Sequence, residues 1–416
     1  QVTVVMVEEG RHALALLSAA RFDHPAKKLV MIGVTGTKGK TTTTHMIRAI
    51  LLAAGKKVGM IGTTGTVIGD VVTPTLNTTP ESYELHQAFA QMVEAGCEYA
   101  VMEVSSQGIK MHRTDGLYFN YAIFTNISPD HIGPGEHADF EEYLYYKTRL
   151  LNMCGIGLVN KDDEHAPQII KAANCELYTY SEESKEADFV ASDIRYVSQP
   201  DFVGTEFHIS GKYDMEVRLG IPGLFNVVNA LAAVSVCSFL GLDQARISHA
   251  LENIRVNGRM EIVYTSERCT VLVDYAHNAV SMESLLSTLR DYKPKRLVCV
   301  FGCGGNRSKD RRYSMGEIGG KMADLSIITA DNSRYEKVED IIADIRGSIE
   351  KTGGKFIEIP DRREAIRYSI LHAQPGDMVA VIGKGHEDYQ EINGVRHHFL
   401  DREVIEETVK ELGEKA

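Results

Sequence analysis

A chain of 416 residues is longer than one ordinary hydrophobic core organises, so two or three domains are expected. Its 44% hydrophobic and 25% charged residues are those of a globular protein in water. A formal net charge of −12 excludes a sequence-independent nucleic-acid binder, and no apolar run approaches the ~20 residues that span a bilayer.

The chain starts at Gln1 rather than Met and carries no signal-peptide pattern, so its start reads as a fragment edge. Val2 to Val7 predicts a strand and Arg11 to Phe22 a helix, too little for an independent domain. From Lys28 to about Ala250, short apolar runs alternate with amphipathic segments. The predicted strands are Leu29–Val34, Val58–Ile61, Tyr99–Glu103, Tyr121–Asn126 and Gly157–Asn160; the predicted helices include Thr41–Ala54, Ser82–Ala95 and Phe140–Leu151. Such alternation implies βαβ units and a mostly parallel sheet. Residues 187–220 change character and predict short strands (Phe202–Ile209, Lys212–Leu219) forming an antiparallel flap, followed by a helix over Asn226–Leu240. A boundary is expected at Asn257-Gly258-Arg259. Beyond it the runs Thr270–Tyr275, Arg296–Phe301, Leu325–Thr329, Lys355–Ile359 and Asp377–Ile382 predict a second, doubly wound domain. Seven scattered cysteines without a C-x-x-C pair read as reduced cytosolic thiols, and the pair Cys299 and Cys303 as core filler rather than a zinc site.

Thr35-Gly36-Thr37-Lys38-Gly39-Lys40-Thr41, with Thr42 next, lies between the first strand and a helix start. A glycine-rich turn there aims unpaired backbone N–H groups at an anion, Lys40 adds charge, and Thr41 offers a hydroxyl to a magnesium ion. Val34 stands where the strict P-loop spacing has glycine, so this is a close relative of that loop. Glu103 and His131 follow neighbouring strands and suit a magnesium ion on ATP phosphates, Glu103 more strongly because magnesium prefers oxygen. Lys147 taken alone reads as a solvated helix-face lysine. Thr78 and Thr79 precede a helix and read equally well as N-capping. His112-Arg113 reads either as a carboxylate or phosphate site or as a surface ion pair. In the second series, four strand ends carry Asp274-Tyr275-Ala276-His277, Gly302 to Arg307, Asp331-Asn332-Ser333-Arg334 and Gly383-Lys384-Gly385-His386-Glu387. That face is expected to bind something polar bearing both charges.

Taken together these motifs, with Asn-Thr-Thr-Pro-Glu, Met-Glu-Val-Ser-Ser, Phe-Asn-Val-Val-Asn and Gly-Arg-Met-Glu, resemble the Mur ligases, and among them the MurE type. These are ATP-dependent amino-acid ligases of peptidoglycan synthesis in the cytoplasm. The resemblance runs from Gly33 to the end. It implies an α/β fold with a central P-loop-type, mostly parallel sheet domain over 28–258 and a C-terminal Rossmann-like amino-acid-binding domain over 259–416. Residues 1–27 would match only the tail of an N-terminal UDP-binding domain, otherwise largely missing.

The implied reaction joins an amino acid to the D-Glu of UDP-MurNAc-L-Ala-D-Glu through an acyl phosphate. ATP and Mg2+ are the implied cofactors, small molecules the partners, and a monomer the implied state. By the resemblance Lys40, Lys147 and His131 are catalytic. Thr41, Glu103, His131 and a carbamylated Lys147 surround the metal. Gly36 to Thr42, Asn226, Asn229, Arg259 and Asp274 bind ATP. Thr78, Thr79, Ser105 and Arg113 hold the nucleotide-dipeptide; Arg307, Asn332, Arg334, Gly383 and Glu387 belong to the amino-acid side. Arg334 and Glu387 would satisfy a distal carboxylate and ammonium, which favours meso-diaminopimelate over L-lysine, since lysine would leave Arg334 unpartnered. Lys38, where many relatives have Asn, points towards lysine; Ser333, Asn306 and Arg311 also depart from the usual Pro, acidic residue and Lys. The alternatives are a Mur-like ligase for another glutamyl substrate, folate among them, and a non-catalytic nucleotide-binding paralogue.

Overall fold

Runs of Val, Ile, Met and Leu without polar alternation suit strands covered on both faces, as parallel sheets require. In the computed structural model, which describes residues 4–413, such runs form the middle of an 11-stranded sheet. Val30–Thr35 lies between Tyr99–Glu103 and Phe119–Phe124, parallel to both. Val58–Gly62 continues the parallel pairing on one side, and Cys154–Asn160, Glu176–Ser181 and Phe189–Gln199 on the other. The register places Val34 opposite both Glu103 and Ile123, so three neighbouring strands end at one level. Ligands of open parallel sheets bind beyond such ends.

Four corrections to the sequence reading follow. Residues 4–7 form no strand and Val4, Val5, Met6 and Val7 are exposed; β-propensity without a partner edge or a buried face does not make one, and residues 2–3 lie outside the described chain. Gly65–Ile68 and Val71–Thr73, unforeseen, extend the sheet, the first antiparallel to Val58–Gly62 and the second antiparallel to Gly65–Ile68. The strands of 187–220 do not stand apart as a flap, because Phe189–Gln199, Phe202–Gly211 and Met215–Leu219 complete the same sheet. The helix predicted to reach Leu151 stops as an α-helix at Thr148 and tightens into a 3-10 turn, Arg149–Asn152.

The described residues divide into two compact units. One holds residues up to Ile194 with Phe207–Leu219 and Phe225–Ile254; the other holds Arg195–Glu206, Gly220–Leu224 and the chain from Arg255 onward. The second unit has its own six-stranded sheet, ordered Glu261–Thr265, Cys269–Asp274, Asp377–Ile382, Arg296–Phe301, Leu325–Ile328 and Phe356–Glu358. All neighbours are parallel except the first pair, whose edge strand carries a bulge. An apolar core including Val271, Val300, Ile327, Val379 and Ile366 fills the space between sheet and helices. Within it the fully buried Arg362 pairs with the fully buried Asp401 and donates to the carbonyls of Ala330 and Ile382, at 3.2 and 3.0 Å. One guanidinium thus fastens two strand ends together. No described helix is long and apolar enough to cross a membrane.

Candidate active site

The first site begins where Val30–Thr35 runs into the helix Lys40–Ala53. Gly36 has φ +146, and a Cβ there would fall 1.9 Å from Thr125 Oγ1; only glycine lets the loop pass so close to the neighbouring strand end. Gly39, at φ +84, caps the helix without any side chain, leaving the first-turn N–H groups facing outward. A Cβ on Gly39 would meet Asn229 Oδ1 at 2.4 Å. Asn229 in turn accepts from Thr43 at 3.3 Å and donates to Asn226 at 3.2 Å, so both asparagines border the loop. The other rim is tied by Lys38 N to Asn126 Oδ1 (2.9 Å) and by Thr37 N to the Asn126 carbonyl (2.9 Å). Thr42 is buried beneath the first turn.

Glu103 is buried at the adjacent strand end. Its carboxylate accepts from Thr41 Oγ1 (3.0 Å) and from the backbone N–H of Thr63 (2.9 Å). Thr41 and Glu103 offer only oxygen, the donor type a hard divalent cation takes, so this pair fits magnesium. Thr79 is not an N-cap: its hydroxyl donates to the Glu103 carbonyl (3.0 Å) and accepts from Ser105 N–H (2.9 Å). Thr78 meets the Thr63 hydroxyl at 3.1 Å, Ser105 caps the short helix Ser106–Lys110, and Arg113 donates to the Thr79 carbonyl at 3.1 Å. Arg113 also pairs with Glu81 at 2.8 Å. Glu103, Thr63, Thr78, Thr79, Ser105 and Arg113 therefore share one hydrogen-bonded patch.

Lys147 is buried rather than solvated. Its Nζ donates to the Gly36 carbonyl at 2.7 Å, and Lys40 Nζ donates to the same oxygen at 2.7 Å. Burial, then the charge of Lys40, pushes the Lys147 amine well below the usual lysine range. Its ammonium position lies 4.6 Å from the centre of the Tyr143 ring, whose hydroxyl reaches Thr37 Oγ1 at 3.1 Å. Burial raises that phenol to about 12. His131 stands on an exposed loop at φ +54, with Nδ1 3.0 Å from Glu136. It neighbours Tyr143 at 6.2 Å between ring centres, and no hydrogen bond joins it to Glu103 or Thr41.

The second unit gathers its four motifs around one pocket of about 340 Å³ lined by Arg307, Asn332, Arg334, Gly383 and Glu387, together with Asp331 and Arg311. Asn332 Nδ2 donates to Glu387 at 2.9 Å, and Arg334 donates to the Gly305 carbonyl at 2.8 Å. The fully buried Lys384 donates to Glu387 and Asn332, both at 3.4 Å, and to the Tyr389 carbonyl. Arg259 sits 4.9 Å over the Tyr275 ring. Asp274 does not present a free carboxylate: its oxygens accept from the N–H groups of Met260 (2.7 Å) and Ala276 (2.8 Å). Burial raises its carboxyl above the usual range.

Sequence reasoning passed over Thr63, Tyr143 and Lys384. Thr63 and Tyr143 carry no local signal. Lys384 did, since an ammonium inside a glycine turn at a strand end needs a partner.

Two family domains match the chain: the Mur ligase middle domain over residues 34–237 and the Mur ligase glutamate ligase domain over 258–385. A UDP-N-acetylmuramoyl-L-alanyl-D-glutamate--2,6-diaminopimelate ligase of Caldanaerobacter subterraneus subsp. tengcongensis is 40% identical over 99% of this chain and 84% of its own length. A solved structure of a ligase of the same name superposes with a TM-score of 0.76 at 32% identity, covering 97% of this chain and 84% of that one. Folylpolyglutamate synthase from Thermotoga maritima shares the fold alone, with a TM-score of 0.70 at 17% identity over 91% of both chains.

Proposed function

The chain belongs to the Mur ligase family, and on that premise we propose that it ligates meso-2,6-diaminopimelate to the D-glutamate of UDP-MurNAc-L-Ala-D-Glu, cleaving ATP to ADP and phosphate. The observation that carries this reading is the second unit's pocket, where guanidinium groups of Arg307 and Arg334 face the same space as the Glu387 carboxylate. An amino acid with a distal zwitterion finds both partners there. L-lysine has no distal carboxylate, so it would leave Arg334 with the Gly305 carbonyl and Glu391 and forgo a charge-assisted pair worth about 1.5–3 kcal/mol.

In the proposed reaction the D-Glu carboxylate attacks the γ-phosphate, forming an acyl phosphate and ADP. The amine of the incoming amino acid then adds to the acyl carbon, and the tetrahedral intermediate expels phosphate. Such transfers depend on alignment and charge neutralisation more than on covalent help from the protein. Lys40 and the N–H groups of the loop 36–42 hold the β- and γ-phosphates, with Asn226, Asn229 and Arg259 on the nucleotide side. Thr78, Thr79, Ser105 and Arg113 hold the nucleotide-dipeptide beside Glu103. Thr41 and Glu103 would hold Mg2+, which neutralises phosphate charge when bound. His131 and Lys147 join that set in our reading once each leaves its present partner, Glu136 and the Gly36 carbonyl respectively. The depressed Lys147 amine supports its conversion to a carbamate, because only the neutral amine adds to carbon dioxide, releasing one proton. The working unit is one chain acting on small molecules in the cytoplasm.

Phosphate release is the test, measured with ATP, Mg2+ and UDP-MurNAc-L-Ala-D-Glu, with either meso-diaminopimelate or L-lysine present. Release with diaminopimelate alone is the expected result. Release with lysine alone would show Lys38 to be the better specificity marker, and release with neither would refute the ligase reading.

A further inference from the structure

Next to Arg113, at the edge of the first site, three side chains of ligand type meet where the helix Gly10–Arg21 lies against the turn after Ser106–Lys110. His12 Nδ1 is 2.5 Å, and His112 Nδ1 2.8 Å, from the same oxygen, Asp115 Oδ2. The three atoms lie within 4.8 Å of one another, and among the described residues this is the one such group of His, Cys, Asp or Glu. The two imidazoles come from separately anchored backbones. Arg11, beside His12, fastens the helix by donating to the Met111 carbonyl at 2.8 Å and to Glu81 at 2.5 Å. His112 is held at φ +56, and the next residue's N–H closes on the Gly108 carbonyl at 2.8 Å. A left-handed histidine persists only where its surroundings over-determine it.

Two imidazole nitrogens and one carboxylate oxygen, open to water on the histidine side, are the donor set of zinc and its first-row neighbours rather than of magnesium. Both imidazoles address one oxygen, Asp115 Oδ2, so the three donor atoms already converge. We propose that His12, His112 and Asp115 form a half-open site for a divalent transition ion of the zinc class, which ties the helix Gly10–Arg21 to the turn at 111–117. Occupation replaces the two N–H···O contacts with metal bonds from the Nδ1 lone pairs, the Nδ1 proton of each neutral ring moving through solvent to Nε2, and water fills the remaining positions.

The metal-free protein would be titrated with Co2+, read by its visible absorption, and then with Zn2+ in competition, with excess Mg2+ throughout. Expected is one Co2+ per chain that Zn2+ displaces and Mg2+ does not. His12→Ala and Asp115→Asn should each weaken binding by more than about tenfold with unchanged far-UV circular dichroism. A Zn2+-dependent rise in Tm should appear in the parent and vanish in His12→Ala. Absence of Co2+ binding, or binding undiminished in both variants, overturns the site and leaves a carboxylate that accepts two imidazole hydrogen bonds.

Discussion

Lys40 and Lys147 both donate to the Gly36 carbonyl; Lys40 is half-buried and has the Thr37 carbonyl as well at 3.1 Å, whereas Lys147 is buried and bears the larger desolvation cost. The more buried of the two has its amine pushed well below the usual lysine range, the direction that carbamate formation needs. The sign of the pH effect follows. Lys147 is depressed in the folded protein, so the unfolded chain binds the extra proton, and stability rises with pH up to the ordinary lysine range. Lys147→Met should therefore be about 1–2 kcal/mol more stable than the parent at pH 7 while losing turnover. Denaturant midpoints at pH 7 and pH 9 check this, and the advantage should shrink at the higher pH. Glu387 offers a second test. Its carboxylate is aligned by Asn332 and the buried Lys384, so Glu387→Gln should raise the KM for diaminopimelate about tenfold or more while leaving ATP binding in place. An unchanged KM would remove Glu387 from the amino-acid side.

At the scale of elements, the helix Ser82–Glu94 is amphipathic by spacing, yet its inner face includes His86, which is buried with no hydrogen-bond partner on either ring nitrogen. Burial, reinforced by the charge of His24, lowers it to about 4 from an ordinary 6.5. Between those values the unfolded chain takes up a proton that the folded one refuses, so stability falls as pH drops through this window. His86→Met should abolish that loss and leave the variant up to about 2 kcal/mol ahead at pH 5, with little difference at pH 8. Parallel melts at the two pH values decide it. The helix Lys40–Ala53 shows the opposite kind of compromise. Four successive β-branched threonines are poor helix formers, yet Thr41 reaches Glu103, Thr43 reaches Asn229 and Thr44 bonds back to the Thr41 carbonyl. Hydrogen bonding and burial, rather than propensity, explain that run.

At the scale of the whole molecule, each of the two larger sheets carries its own cluster of motifs at strand ends. Ligands should therefore act locally when given singly. ATP with Mg2+ is expected to slow amide exchange in residues 36–44, and diaminopimelate in 331–334 and 383–387, each with little effect on the other segment. Protection of 383–387 by ATP alone would contradict that division of labour.

Much of this was legible in the chain itself. Glycine, lysine and threonine at set spacing after an apolar run point to a tight strand-to-helix loop because few other residues allow its backbone path, and Gly36, pressed against Thr125, follows that path. Parallel strands declare themselves as unbroken apolar runs, so Tyr99–Glu103, Arg296–Phe301 and Asp377–Ile382 were readable to the residue. Edge elements were not. Residues 4–7 have strand composition and no partner, while Gly65–Ile68, Glu261–Thr265 and the hairpin Tyr389–Ile392 with Val395–His398 are short pieces whose pairing supplies what their composition lacks. Lys147 was the clearest divide. On the helix Phe140–Thr148 it has the sequence of a solvated lysine, and only the approach of the Gly36 loop from 111 residues away buries it and changes its chemistry. Local spacing determines which backbone shapes are possible; which charges end up sharing an oxygen is decided by contacts between distant segments, because desolvation depends on everything that surrounds a group.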